Sequence, residues 1–222
     1  MMCIREEAAM RDRSAAAKFG IVVYQGVEPI DIGGTVGVIS MARRVLPAVE
    51  AAVVAAEPGQ VALAGGLSII AQHGFADALT FDQVIVCGGP GWPAAAEDAS
   101  LRAFLRRQPA TSIASVCTGA LILAAAGVLD GRAATTRRRA TGAEDRAPLA
   151  RLAELGRDIR AREALVVDAG VVTGGGVALA IDATLYLIGR LYGDDVRNEV
   201  AHVIEYDRAW EANRAALGIE QG

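Results

Sequence analysis

Lysine is almost missing from this 222-residue chain, with Lys18 the only one. Histidine occurs twice, as His73 and His202, and aromatic residues make up only 5%. The three cysteines, Cys3, Cys87 and Cys117, lie too far apart for a disulfide framework or a zinc-ligand pattern, so no metal is expected. No apolar run approaches the roughly 18 residues that a membrane span needs. Residues Met1 to Glu7 lack an apolar signal core, which sets the expectation of a cytoplasmic protein. A net charge of -4 excludes the basic face of a general nucleic-acid binder, so the expected partner is a small molecule. What remains is abundant: 53% of residues are hydrophobic and 25 are glycine. That composition suits one tightly packed domain of ordinary size.

Continuous apolar runs mark strands buried on both faces of a parallel sheet. They occur at Phe19 to Tyr24, Val49 to Ala55, Gln83 to Cys87 and Ser112 to Val116. Helical spacing follows at Ile30 to Arg44, Ser100 to Arg107 and Thr118 to Ala126. Val61–Leu63 and Leu67–Ile70 flank Gly65-Gly66 and read as a hairpin; Leu165–Val167 and Gly170–Thr173 read as another. A long apolar helix is expected up to Tyr192, then one more polar helix to about Leu217. Alternating strands and helices give an α/β sandwich around a mostly parallel sheet, with ligands at the carboxyl ends of the strands. Residues 1–17, charged and alanine-rich, read as a poorly ordered tail, leaving 18–222 as a single domain.

Three strand ends converge on that carboxyl edge, and each carries a candidate. Cys117 stands on a strand-to-helix turn, where free N–H groups at a helix start favour a thiolate. A buried cysteine can equally be packing, but the Thr118-Gly119 that follows favours a reactive thiol. Gly88-Gly89-Pro90-Gly91 is either a simple turn or a backbone cradle. As a cradle, an N–H of Gly88 or Gly89 would join that of Thr118 in an oxyanion hole. Asp31 sits among Ile30 and Ile32 at a helix start. Burial there would raise its pKa and let a protonated carboxyl donate to the Cys117 thiolate.

Several segments together resemble the DJ-1/PfpI superfamily: Phe19 to Asp31, Val86 to Gly91, Ser115 to Ala120, Gly127 to Arg132, Ala134-Thr135-Thr136, and Thr173 to Gly176 with Ile181-Asp182. The Ser-Val-Cys-Thr-Gly form, the Ile-Asp-Ile helix start and Ile204 to Asp207 are most similar to its isonitrile hydratase branch. The resemblance implies a flavodoxin-like three-layer fold with a nucleophile-elbow cysteine, a homodimer, and no metal or organic cofactor. It also implies Cys117 as nucleophile, Asp31 as the acid that handles protons and orients water, and Thr118 as support. The implied reaction adds water to an isonitrile and yields an N-substituted formamide.

Two positions depart from the pattern. Arg137-Arg138 stand where many relatives carry a histidine and an aromatic residue, and Cys87 stands where relatives carry proline. Arg137 could lower the thiol pKa or bind an acidic substrate, although an arginine run is commonly a solvated face. Cys87 reads as a core residue, with a redox disulfide to Cys117 as the other possibility. His73 and His202 read as surface or packing residues, which argues against a protease-like Cys–His pair. A glyoxalase-like activity on α-oxoaldehydes and a non-enzymatic redox- or ligand-sensing role are the alternatives.

Overall fold

The apolar runs become the strands of a single eight-stranded sheet in the computed structural model, which describes residues 10–142 and 144–222. In chain order, β1 (Ala17–Val22) is followed by a helical run over residues 29–42. That run comprises α1 (Pro29–Ile32), a π-helical turn (Gly33–Gly37) and α2 (Val38–Ala42). Next come β2 (Val49–Ala55), the hairpin β3 (Gly59–Ala62) and β4 (Ser68–Ala71), the short β5 (His73–Gly74) and β6 (Gln83–Val86). The helices α3 (Trp92–Glu97) and α4 (Ala99–Arg107) precede β7 (Ile113–Ser115) and α5 (Gly119–Ala125). A smaller pair, β8 (Ala133–Ala134) and β9 (Arg160–Ala161), brackets α6 (Pro148–Leu152). The chain then forms β10 (Val166–Asp168), β11 (Val172–Gly174), α7 (Ala180–Tyr192), α8 (Asp194–Val203), α9 (Asp207–Leu217) and β12 (Ile219–Gln221).

The sheet order is β12-β10-β11-β7-β6-β1-β2-β5, and every pair is parallel except β10–β11. From β1 the chain moves outward to β2, then returns to the other side of β1 as β6 and continues to β7. That reversal makes the crevice between β1 and β6 the topological switch point, where α/β sheets bind ligands. The flavodoxin-like expectation therefore holds.

Because side chains alternate along a strand, each central strand feeds two cores. Phe19, Ile21, Val23 and Ile85 pack with Ile39, Leu185, Ile188 and Trp210 from residues 29–42, α7 and α9. Val22, Val84 and Val86 pack on the other face with Phe104, Leu105, Leu121 and Leu123 from α4 and α5. Among the described residues, no helix is long and apolar enough to cross a membrane.

Some expectations are corrected by local chemistry. Residues 1–9 of the expected tail lie outside the described residues, but residues 10–17 are held on the fold. Arg11 pairs with Asp82 at 2.5 Å, and Tyr192 donates to the Ala15 carbonyl at 2.8 Å. Helix α4 starts one residue before Ser100, because the Asp98 carboxylate caps it by accepting from the N–H groups of Ser100 and Leu101. The polar C-terminal helix is two helices, broken at Glu205, whose φ is +54°. The break is fastened from below: the fully buried Asp182 accepts from Tyr206 Oη at 2.9 Å and from Asn213 Nδ2 at 3.1 Å.

Candidate active site

Strand β7 ends at Ser115, and the chain must turn sharply to start α5 at Gly119. The turn is made at Cys117, whose φ of +52° is uncommon for a residue with a Cβ and must be held by its surroundings. Its N–H donates to the Gly175 carbonyl at 3.0 Å, and its own carbonyl accepts from Thr136 Oγ1 at 2.6 Å. This gives the Ala134-Thr135-Thr136 motif a physical role: Thr136 clamps the elbow, while the Thr135 N–H is bonded to Thr173 Oγ1. The glycine after Thr118 is required by space, since a Cβ at Gly119 would overlap the Val86 carbonyl oxygen.

Asp31 comes to the same point from α1, completely buried. Its Oδ2 accepts the Gly88 N–H at 2.8 Å, while Oδ1 is buried with no hydrogen-bond partner of good geometry. Thr35, in the π-helical turn, returns its hydroxyl to the Asp31 carbonyl at 3.0 Å and so secures that turn. Such π-bulges recur at functional sites.

Burial decides the protons. It raises Asp31 to about 7; the Gly88 N–H, the Cys117 thiol and the Arg137 charge pull the other way, and Glu28 adds to the rise. Burial likewise pushes Cys117 up to about 11, with the Asp31 charge next in the same direction. The N–H groups of Val177 and Thr118 and the guanidinium of Arg137 favour the thiolate, but they do not overcome desolvation. Burial thus opposes the thiolate that a helix start would favour, since α5 has only seven residues and Cys117 is itself buried. It favours the neutral form of both groups.

The glycine turn also differs from the expectation. The Gly88 N–H is taken by Asp31, and the Gly89 N–H is taken by Thr118 Oγ1 at 2.9 Å. Gly88 and Gly89 therefore position the acid and Thr118, and neither offers a free oxyanion donor. A Cβ on Gly88 would lie 2.5 Å from the Thr118 nitrogen, so only glycine allows this approach. The Thr118 hydroxyl is occupied with Gly89, and it is the Thr118 N–H that faces the sulfur.

Val177 is a donor that the sequence did not reveal. Its φ of +59° is a genuine outlier for a β-branched residue, and it points an N–H at Cys117. It directly follows Gly174-Gly175-Gly176.

Arg137 lies against the thiol and is paired with Glu144 at 2.5 Å. Cys87 takes the core position: its sulfur is buried 3.9 Å from Thr35 Oγ1, burial drives its pKa far up, and both it and Cys117 are free thiols. His73 sits 3.6 Å from Asp77, and His202 is exposed on α8; neither lines the cavity. Among the described residues, no three His, Cys, Asp or Glu side chains are grouped to hold a metal ion. Above the thiol opens a cavity of about 850 Å³, walled by Ile30, Pro90, Val177 and a rim of charged residues.

With this geometry in view, the DJ-1/PfpI family model matches residues 17–189. The chain belongs to the DJ-1/PfpI family. It is 32% identical over 193 residues to an isonitrile hydratase of Pseudomonas putida, covering 86% of this chain and 79% of that one. A ThiJ/PfpI family protein of Pseudomonas syringae superposes with a TM-score of 0.74 at 28% identity, covering 91% of this chain and 84% of the other. Drosophila melanogaster DJ-1beta shares the fold at a TM-score of 0.72 and 20% identity, covering 86% of this chain and 98% of that one. This chain carries Arg137 directly after its Ala-Thr-Thr motif.

Proposed function

We propose that this DJ-1/PfpI protein is a cysteine-dependent hydratase that needs no cofactor and converts an isonitrile and water to an N-substituted formamide. The observation that carries the reading is the Cys117 thiol held at a strained elbow against Asp31. That acid is buried, has one unpartnered oxygen, and is poised near neutrality. A group that must first accept a proton and then return it works best with a pKa near the working pH.

As Sγ closes on the terminal carbon, the Asp31 carboxylate takes the thiol proton and then delivers it to that carbon. The isonitrile R–N≡C and Cys117–SH thereby become the thioimidate R–N=CH–S–Cys117. Water adds to the C=N bond: Asp31 takes one of its protons and passes it to the nitrogen, giving R–NH–CH(OH)–S–Cys117, whose hydroxyl proton goes to the leaving sulfur. The C–S bond then breaks, giving R–NH–CHO and restoring the thiol. The Thr118 and Val177 N–H groups face the sulfur and stabilise charge that develops there.

A thiol at about 11 disfavours easy peroxide sensing, which needs the thiolate, and no histidine lines the cavity for glyoxalase chemistry of the Glu–His kind. The same reading carries a homodimer that acts on a small molecule in the cytoplasm. Cys117→Ser should lower formamide production from an alkyl isonitrile, followed by NMR, by about 10³-fold or more. Undiminished turnover in that variant would sink the reading.

A further inference from the structure

The charged rim of the Cys117 cavity is balanced except at one place. Arg137 is bonded to Glu144 at 2.5 Å, and Arg151 is bonded to Asp145. Glu28 lines the same cavity, and its carboxylate has no hydrogen bond or ion pair among the described residues. The backbone of Glu28 is fixed on both sides: its N–H donates to the Gly88 carbonyl at 2.8 Å, and its carbonyl accepts from the Asp31 N–H at 3.1 Å. The side chain therefore starts from a defined point three residues before the acid, and its charge is felt at Asp31. Beside it stand two apolar side chains that the fold leaves open, Ile30 at 44% and Val177 at 41% exposure. Glu28 is thus a partly exposed carboxylate without a partner beside exposed aliphatic surface, a place where an entering cation would find a counter-charge.

We propose that Glu28 is a specificity-determining residue that selects substrates bearing a cationic group, with the aliphatic body lying on Ile30 and Val177. The inference rests on the proposed reaction for the identity of the reacting end, while the preference for positive charge is independent of it. The Arg137 charge is taken by Glu144, so an acidic substrate, which Arg137 alone would have suggested, meets the unpaired Glu28 instead.

Two measurements on the full chain test this. The first compares kcat/KM for an isonitrile with a trimethylammonium end against its neutral tert-butyl isostere. A preference of about tenfold for the cation is expected, weakening with added salt, because the pair is partly screened. It should disappear in Glu28→Gln and survive in part in Glu28→Asp. The second needs no turnover: the labelling rate of Cys117 by cationic, neutral and anionic methanethiosulfonates, mapped by peptide mass and normalised to a free thiol. The cationic reagent should lead in the native chain and lose that lead in Glu28→Gln.

A native chain with no charge preference in labelling, as when a second copy supplies Glu28 with a partner, would overturn the proposal. So would a preference that persists in Glu28→Gln. If no isonitrile is hydrated but the labelling bias follows Glu28, the proposed reaction fails and the charge preference stands. Hydration without bias has the opposite meaning.

Discussion

Asp31 and Asp182 are two fully buried carboxyls on opposite sides of one question. Burial raises both, to about 7 and about 6. Yet the oxygens of Asp182 are filled by Tyr206 and Asn213, whereas Oδ1 of Asp31 has no partner and the carboxyl faces a thiol. Asp182 fastens the break between α8 and α9 to α7, with its hydrogen bonds closed inside the protein. Asp31 is held at one oxygen only, by Gly88, which leaves the other without a partner. A raised pKa alone thus does not distinguish a working acid from a structural one. Under the proposed reaction, the open oxygen of Asp31 is what separates the two.

The largest expected break in this comparison is catalytic. Asp31→Asn should lower kcat/KM on an isonitrile by about 10³-fold, because the proton carrier is removed. Asp182→Asn should stay within a few-fold of the native value. Equal losses in the two variants would show that burial, and not the open oxygen, was the meaningful feature.

Stability should move in opposite directions. A carboxyl raised from its unfolded value of 3.8 to about 7 binds more protons in the folded state between those values. The folded protein is therefore favoured at low pH and loses that favour as pH rises through about 7. A neutral amide side chain resembles the protonated acid, so Asp31→Asn should stabilise the protein at pH 8 by an amount on the order of a few kcal/mol. It should also flatten the native fall in stability between pH 4 and 7, read by urea unfolding. Asp182→Asn places an amide donor among Tyr206 and Asn213 and should destabilise by about 1–3 kcal/mol.

Much of this was legible in the chain. The runs around Ile21, Ile85 and Ala114 announced a parallel sheet because a strand covered on both faces has no polar side to show. Their glycine-rich ends announced the edge at which Asp31, Gly88 and Cys117 meet. The direction of the hydrogen bonds was not legible: nothing in Gly88-Gly89 says that one N–H serves Asp31 and the other Thr118. Nor does a cysteine before a helix reveal how deeply it is buried, and burial opposes the expected thiolate. Val177 escaped notice because a β-branched residue with positive φ contradicts its own propensity, and only the packed surroundings can impose it.

A smaller effect sharpens the assignment of the proton. If the ionised form of Asp31 takes the thiol proton, kcat/KM should rise about tenfold or more between pH 5.5 and 8, with an apparent pKa near 7. It should stay level until the thiol itself ionises near 11. Asp182→Asn should leave that midpoint in place, although Asp182 titrates nearby at about 6. A midpoint that moves with Asp182 would assign the profile to the wrong carboxyl.

The smallest change is Tyr206→Phe, which removes one donor from Asp182 and leaves the two contacts of Asn213. The Tyr206 hydroxyl favours the ionised carboxylate, so its loss should raise the Asp182 pKa further. The sign follows directly: the variant loses about 1 kcal/mol at pH 8, where the carboxylate must remain buried with fewer donors. It loses less at pH 5, where Asp182 is mostly protonated in both forms. Unfolding midpoints at the two pH values check this. An equal loss at both would mean that Tyr206 stabilises the α8–α9 break through packing, and that the closed network around Asp182 is not what separates it from Asp31.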